Sequence, residues 1–339
     1  MILATRWNYV QSLSLIGRLF GLKFLIIIIL YAFFSANANA ASFDCNKAIS
    51  KMEKTVCANP ELSKLDYNLA KAYHDALNSL SPEGQNETKQ YQKQWLKKIS
   101  SYTNDSGLKD AYEERIKQLQ HSLIKFPDRV FRNVYVSFLK TSKSCSIAIA
   151  GDLTYPQIEN PRDENEKAWN NFLFKRATDH FMPSEDCEQS NDNYAVSYSN
   201  KRLISVKYLG STYTEGAPCP MQAAAESISW LLEAKRELQV ADLFSDKTDW
   251  QNKIAALASQ KLREKKIAQY LKREYPNRGI HTSEIMFKVT SPSNWVILND
   301  GLGFGFFEVY ITGFNVFIII DWKTLDPYLS EYGRSLIHE

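Results

Sequence analysis

The side chains able to do chemistry are few, and the cysteines are the most ordered among them. Cys45 and Cys57 lie twelve positions apart, and Cys145, Cys187 and Cys219 follow far downstream. No C-x-x-C motif occurs, and the five histidines (His74, His121, His180, His281, His338) have no metal-ligand spacing. The cysteines therefore read as disulfide partners, not metal ligands. On one straight helix, residues twelve apart would be separated by about 18 Å at 1.5 Å per residue. A disulfide needs Cα atoms within roughly 7 Å. If Cys45 and Cys57 pair, the chain must fold back between them and clamp the start of the helix that follows. Cys187 and Cys219 flank a predicted hairpin and could clamp it. Cys145 alternates with apolar neighbours in a predicted strand, which makes it the expected unpaired, buried thiol.

Catalytic patterns are missing. The sequence has no G-x-S-x-G, no H-E-x-x-H, no P-loop and no dinucleotide fingerprint. Asp242 and Asp246 form a carboxylate pair in a loop-like stretch with no partner chemistry nearby in sequence. The expectation is a protein that is not an enzyme and carries no cofactor and no metal.

The elements that must position these residues begin with a leader. Arg6, Arg18 and Lys23 precede the apolar block Phe24 to Phe34, and "SANANA" ends at Ala40. The block is shorter than the roughly 20 residues a membrane helix needs. Residues 1–40 read as an export signal cleaved after Ala40, with an uncleaved anchor as the alternative. The implied location is periplasmic or secreted, with no stable membrane span after cleavage. The leader holds three of the chain's 41 basic residues and none of its 38 acidic ones, so the mature chain is neutral by formal count. That balance excludes a general nucleic-acid binder. The rest of the chain is long enough for about two domains.

Residues 42–126 read as a small helical domain. Asn59 and Pro60 open a helix with Leu62, Leu65, Leu69, Tyr73, Ala76 and Leu80 on one stripe. A second helix carries Tyr91, Trp95 and Ile99, and a third carries Leu108, Tyr112, Ile116, Leu119 and Leu123. Tyr73, Tyr91 and Trp95 read as core, and Asp66 and His74 as structural polar groups beside it. From Pro127 the period changes to two. Asn133 to Leu139 and Ser144 to Gly151 read as strands, Glu164 to Phe181 as a helix, and the segments around Asn200-Lys201 as a hairpin. Ala223 to Leu232 is ambiguous between helix and strand, and Asp249 to Tyr275 reads as one long helix. Asn299-Asp300-Gly301 is a hairpin turn in an aromatic, β-branched terminal segment that Gly303, Gly305 and Gly313 punctuate. The fold class is α plus α+β: a disulfide-stapled helical domain, then an α+β domain with antiparallel sheet over 130–339.

The first domain resembles the N-terminal module of the LprI family of lysozyme inhibitors. The resemblance rests on "FDC" (Phe43 to Cys45), "EKTVCANPELSKLD" (Glu53 to Asp66), "LAKAYHDAL" (Leu69 to Leu77), "QKQWL" (Gln92 to Leu96) and "AYEERIKQL" (Ala111 to Leu119). It spans about 43–123. A second cysteine pair usual in that family is absent, its positions falling near Ser101 and Gly107. The second domain, over about 140–330, is similar to the extracellular lysozyme-binding domain of RsiV-type anti-sigma factors, which also accompanies some peptidoglycan deacetylases. Here the residues are "LTYPQIEN" (Leu153 to Asn160), "VADLF" (Val240 to Phe244) and "NDGLGFGFFEVY…VFIIIDWKTLDPYL" (Asn299 to Leu329). At Gly216-Ala217-Pro218-Cys219 the chain departs from a Gly-Ala-His sequence of those relatives.

Both resemblances imply an exported envelope protein that binds and inhibits lysozyme or a related muramidase. The alternative is a module that binds peptidoglycan. An inhibitor that plugs a sugar-binding cleft needs a protruding loop with an aromatic and hydrogen-bonding groups. Two loops fit: Tyr213 to Met221, with Tyr213 and Glu215, and Tyr310 to Asn315, with Tyr310, Thr312, Phe314 and Asn315. The acidic stretches Glu159 to Glu166 and Glu185 to Asp192 read as solvated loops that could also speed association with a basic partner.

Overall fold

The computed structural model describes residues 41–338 apart from 103, 180, 182–186, 219–220, 265–268, 270–272, 274–280 and 307–315. The leader and the loop residues Tyr310, Thr312, Phe314 and Asn315 lie outside the described residues. Four helices come first: α1 (Lys51–Ala58), α2 (Pro60–Ser79), α3 (Pro82–Ile99) and α4 (Asp105–Gln120). By contact the chain forms two compact units. One comprises 41–74 with Tyr102–Lys117; the other comprises Asp75–Ser101 with Gln118–Glu339.

The first unit is built on local signals. Ser50 and Glu53 form a capping box on α1: Glu53 N donates to Ser50 Oγ at 3.1 Å and Ser50 N to Glu53 Oε2 at 2.8 Å. Asn59 Oδ1 accepts from Glu61 N at 3.0 Å and starts α2. Cys45 lies in a 3-10 turn (Cys45–Lys47) and is bonded to Cys57 on α1, with Cα atoms 5.7 Å apart. The fold-back required by the spacing is this turn and α1. Val56, Leu62, Leu69, Ala72, Leu108 and Tyr112 are buried. Asp66 is buried among them as a structural polar group, accepting from Ser42 N at 2.6 Å and from the Tyr112 hydroxyl at 3.2 Å.

The second unit contains a seven-stranded sheet in sequence order: β1 (Leu123–Lys125), β2 (Val130–Lys140), β3 (Ile149–Ile158), β4 (Glu188–Ser199), β5 (Leu203–Thr214), β6 (Met221–Leu231) and β7 (Arg236–Glu237). All neighbours are antiparallel except β3 and β4, which run parallel. A parallel pair needs a crossover, and α5 (Glu164–Asp179) supplies it. The ambiguous segment around 223–232 is strand β6. Its alternation wins over helix propensity because Ile228 and Trp230 enter one core while the Ser229 hydroxyl donates to Ser205 Oγ at 3.0 Å. After α6 (Val240–Leu243), the helix expected over Asp249 to Tyr275 is continuous as α7 (Trp250–Leu262), and much of the remainder lies outside the described residues. Then come α8 (Thr282–Thr290) and a small antiparallel sheet of β8 (Trp295–Ile297), β9 (Gly301–Phe306) and β10 (Val316–Asp321). Leu298 N donates to Gly301 O at 3.0 Å across the Asn299-Asp300-Gly301 turn. Helices α9 (Trp322–Leu325) and α10 (Glu331–Ile337) close the chain.

Two cores lie in this unit, and β5 divides them. Ile204 and Val206 enter a core with Trp169, Leu173 and Ala177 of α5, as the helical stripe implied. Leu203 enters a second core with Trp250, Ile254, Val289, Trp295, Phe304, Ile318 and Ile320.

Candidate functional site

The cysteine pairing differs from the sequence expectation. Cys187 is bonded to Cys145, with Cα atoms 5.4 Å apart, and not to Cys219. Cys145 is thus neither free nor in a strand, since β3 begins only at Ile149. The parallel pairing explains it. Ala150 faces Gln189 across β3 and β4, so the starts of the two strands lie side by side and bring together cysteines 42 residues apart in sequence. Cys219 lies outside the described residues.

This disulfide ties three segments at one end of the wide sheet: the β2–β3 loop, the start of β4 and the turn after β5. Glu215 N donates to Cys187 O at 2.9 Å. The Glu215 carboxylate accepts from Ser146 N at 3.0 Å and from the Ser146 hydroxyl. Thr214 Oγ1 donates to Glu188 Oε1 at 3.1 Å. Gly216 at φ 77 lets the chain turn there. Tyr213 faces Gln189 on one side and Met221 on the other, and it is half-buried. The two residues chosen from sequence therefore have different positions. Tyr213 sits on the stapled edge as a surface side chain. Glu215 spends its carboxylate on holding the loops together.

The acidic stretches are only in part the solvated loops expected. Glu159 and Glu166 are buried. Glu159 Oε2 accepts from Arg132 Nη1 at 3.1 Å and Glu159 Oε1 from Ser81 N at 2.5 Å. Arg132, itself buried, also pairs with Glu87 at 2.9 Å and Glu83 at 3.1 Å on α3. Glu166 binds Arg162 and lies 3.6 Å from Arg129 Nε. Burial alone would raise the Glu166 carboxyl, but the hydrogen bonds from Arg162 hold it below its ordinary value. Glu188 to Asp192 belong to β4, so the second stretch is largely strand. Glu159 and Glu166 are thus anchors inside the unit, while Asp163 and Glu164 between them are exposed, and Glu185 and Asp186 lie outside the described residues.

Sequence reasoning missed a polar cluster on the α5 side of the sheet. The Tyr208 hydroxyl donates to Asp192 Oδ1 at 2.6 Å, its ring lies 4.6 Å from that of Tyr194, and Arg176 pairs with Glu226 at 3.1 Å. Burial pushes the Tyr208 phenol well above its usual range, and Asp192 adds to the rise; burial does the same for Tyr194. Both phenols stay protonated at neutral pH, which suits a structural network and not a general base. Cross-strand pairing of Tyr194, Tyr208 and Glu226 makes the cluster, and no local pattern signals it.

Among the described residues no group of three or more His, Cys, Asp or Glu side chains could hold a metal ion. No helix among them is long and apolar enough to cross a membrane. The two disulfides fit an oxidising, extracytoplasmic compartment.

No family model matches the chain, and no curated protein matches it. Solved structures do. The chain is similar to a crystal structure of a DUF3298 family member from Bacteroides fragilis NCTC 9343, at 15% identity and a TM-score of 0.47, over 64% of this chain and 97% of that one. It is also similar to a DUF3298 family protein from Pseudomonas aeruginosa PAO1, at 10% identity and a TM-score of 0.41, over 60% of this chain and 94% of that one.

Proposed function

We propose that the chain is an exported envelope protein that binds lysozyme or a related muramidase and blocks its cleft without catalysing a reaction. The observation that carries this reading is the pair of resemblances over about 43–123 and 140–330, to LprI-type inhibitors and to RsiV-type domains, since both families include lysozyme binders. Fold alone does not fix function, so the reading rests on those residues and not on the architecture. The stapled edge around Tyr213 is the described surface best suited to contact the enzyme. Its backbone is fixed by the Cys145–Cys187 bond and the Glu215 contacts, and fixing a loop before binding reduces the entropy lost on association.

The test is lysis of cell-wall substrate by hen-type, goose-type and invertebrate-type lysozymes, with and without the purified protein. Inhibition of one class together with a stoichiometric complex is the expected result. No inhibition and no complex with any class overturns the reading. Replacing Tyr213 with Ala should weaken inhibition by about tenfold or more if this edge enters the cleft.

A further inference from the structure

Asp66 on α2 is a buried carboxylate that takes no part in the proposed lysozyme contact. Its Oδ2 accepts a short bond from Ser42 N, at 2.6 Å. Its Oδ1 meets the Tyr112 hydroxyl at 3.2 Å, long for a phenol donating to a carboxylate. Burial pushes the Tyr112 phenol above its usual range and Asp66 adds to the rise, so Tyr112 is a neutral donor at neutral pH. Among the described residues the hydrogen-bond partners of Asp66 are thus two neutral groups. A buried carboxylate served only by neutral groups is costly, and buried charges are paired as a rule.

The sequence can supply a positive charge one residue from the Ser42 contact. Ala38-Asn39-Ala40 is a small-x-small site, and cleavage after Ala40 makes Ala41 the first residue. Water adds across the Ala40–Ala41 amide: Ala40 leaves as a carboxylate and Ala41 N becomes an ammonium. Ala41 is itself buried. Neighbouring backbone nitrogens lie about 3–4 Å apart, which puts Ala41 N within roughly 7 Å of Asp66 Oδ2. Freed from Ala40, the ammonium needs only rotation about the Ala41 Cα–C bond to turn towards the carboxylate, with Ser42 left in place.

We infer that Asp66 is the seat of the mature N-terminus: the Ala41 α-ammonium pairs with its carboxylate, and removal of the leader thereby completes the core of the helical unit. Before cleavage Ala41 N is an uncharged amide with one hydrogen, so the precursor lacks the pair. Processing and folding are coupled through one buried group. The Ser42 bond and the Cys45–Cys57 bond already fix this segment, so seating the ammonium costs little further chain entropy. The inference rests on the export reading and not on lysozyme binding.

Two measurements test these two parts separately. The exported chain, isolated from the envelope, should begin at Ala41 by intact mass. The mature chain is then prepared with Ala41 first and with Gly-Ser added before it, and each is treated with an amine-acylating reagent at neutral pH. The Ala41 α-amine should react at least about tenfold more slowly than that of the extended chain, because a neighbouring carboxylate favours the charged, unreactive form. The extension should also lower the melting temperature by a few degrees. In Asp66→Asn it should cost nothing further, whereas a merely steric effect of the added residues would persist. The labelling comparison needs no substitution and decides the matter where Asp66→Asn fails to fold. An exported chain that begins elsewhere, equal labelling rates, an extension without cost, or the same cost in Asp66→Asn overturns the inference.

Discussion

The two cores of the second unit are finished with different chemistry. The one containing Trp169 and Leu173 is bordered by buried ions, with Arg132 set among Glu83, Glu87 and Glu159, and Glu166 between Arg129 and Arg162. The one containing Trp250 and Trp295 is closed by apolar and aromatic contact. The rings of Phe244 and Trp250 stack at 4.4 Å, and Trp295 meets Phe244 edge-on at 5.3 Å. Buried ions fix orientation and register at a high cost if one partner is lost. Apolar packing is non-directional and scales with the area removed from water. The ionic border recruits α3 to the sheet from 45 to 49 residues away, where Arg132 reaches Glu87 and Glu83. The apolar core joins α7, α8 and the small sheet by shape.

The largest effects should expose that contrast. Arg132→Ala strands buried Glu159 beside Glu87 and should cost about 3–5 kcal/mol in denaturant unfolding. Trp295→Ala should cost a similar amount, about 3–5 kcal/mol, through the cavity it leaves. Their rescue should differ. Adding Glu159→Gln to Arg132→Ala should recover a good part of the loss, since a neutral group replaces a stranded charge. A double mutant as unstable as Arg132→Ala alone would break the comparison.

The disulfides come next. In the chain-entropy account, Cys145–Cys187 closes the longer loop and contributes about 4 kcal/mol, against about 3 kcal/mol for Cys45–Cys57. Peptide mapping under non-reducing conditions checks the pairing, and a Cys187–Cys219 link would refute it. Smaller still is Gly333→Ala, which drives a Cβ into the Leu243 carbonyl oxygen where α10 meets α6. It should cost about 1–3 kcal/mol and lower the melting temperature without touching the ionic border.

Acid should produce the smallest effect and separate the cores by another route. Glu166 has its carboxyl held below the ordinary 4.5 in the folded state. Its stabilisation is therefore complete above pH 4.5 and is lost as pH falls through the lower folded value. Glu166→Gln should flatten that acid limb of the stability curve, while Trp295→Ala should shift the whole curve down and leave its slope. An unchanged limb in Glu166→Gln would show that other carboxylates carry it.

Much of the fold was legible because its signals are local. The capping residue Asn59, the apolar stripes of α2, α3 and α4, the Asn299-Asp300-Gly301 turn and the period-two strands each lie within one element. The shape of the Cys45–Cys57 clamp was legible for the same reason, since a bond between residues twelve apart requires a return of the chain between them. The site was less legible. Tyr213, expected in a protruding loop, belongs to strand β5, and Glu215 proved to be a tether. The acidic stretch at Glu159 to Glu166 proved to hold buried anchors, because composition reports charge and not the arginine that folding brings to it.

What the sequence determined by itself is much of what depends on near neighbours: the helices α2 to α5, the strands β2, β4 and β5, and the return of the chain that a Cys45–Cys57 bond requires. Tertiary structure alone decided which strands lie side by side. Setting β3 parallel to β4 gave Cys187 its partner in Cys145, and pairing β2 with β3 set Arg132 beside Glu159. The physical reason is strand pairing. Its register is set by burial on both faces at once, and a period of two in one segment says nothing of the segment it will meet.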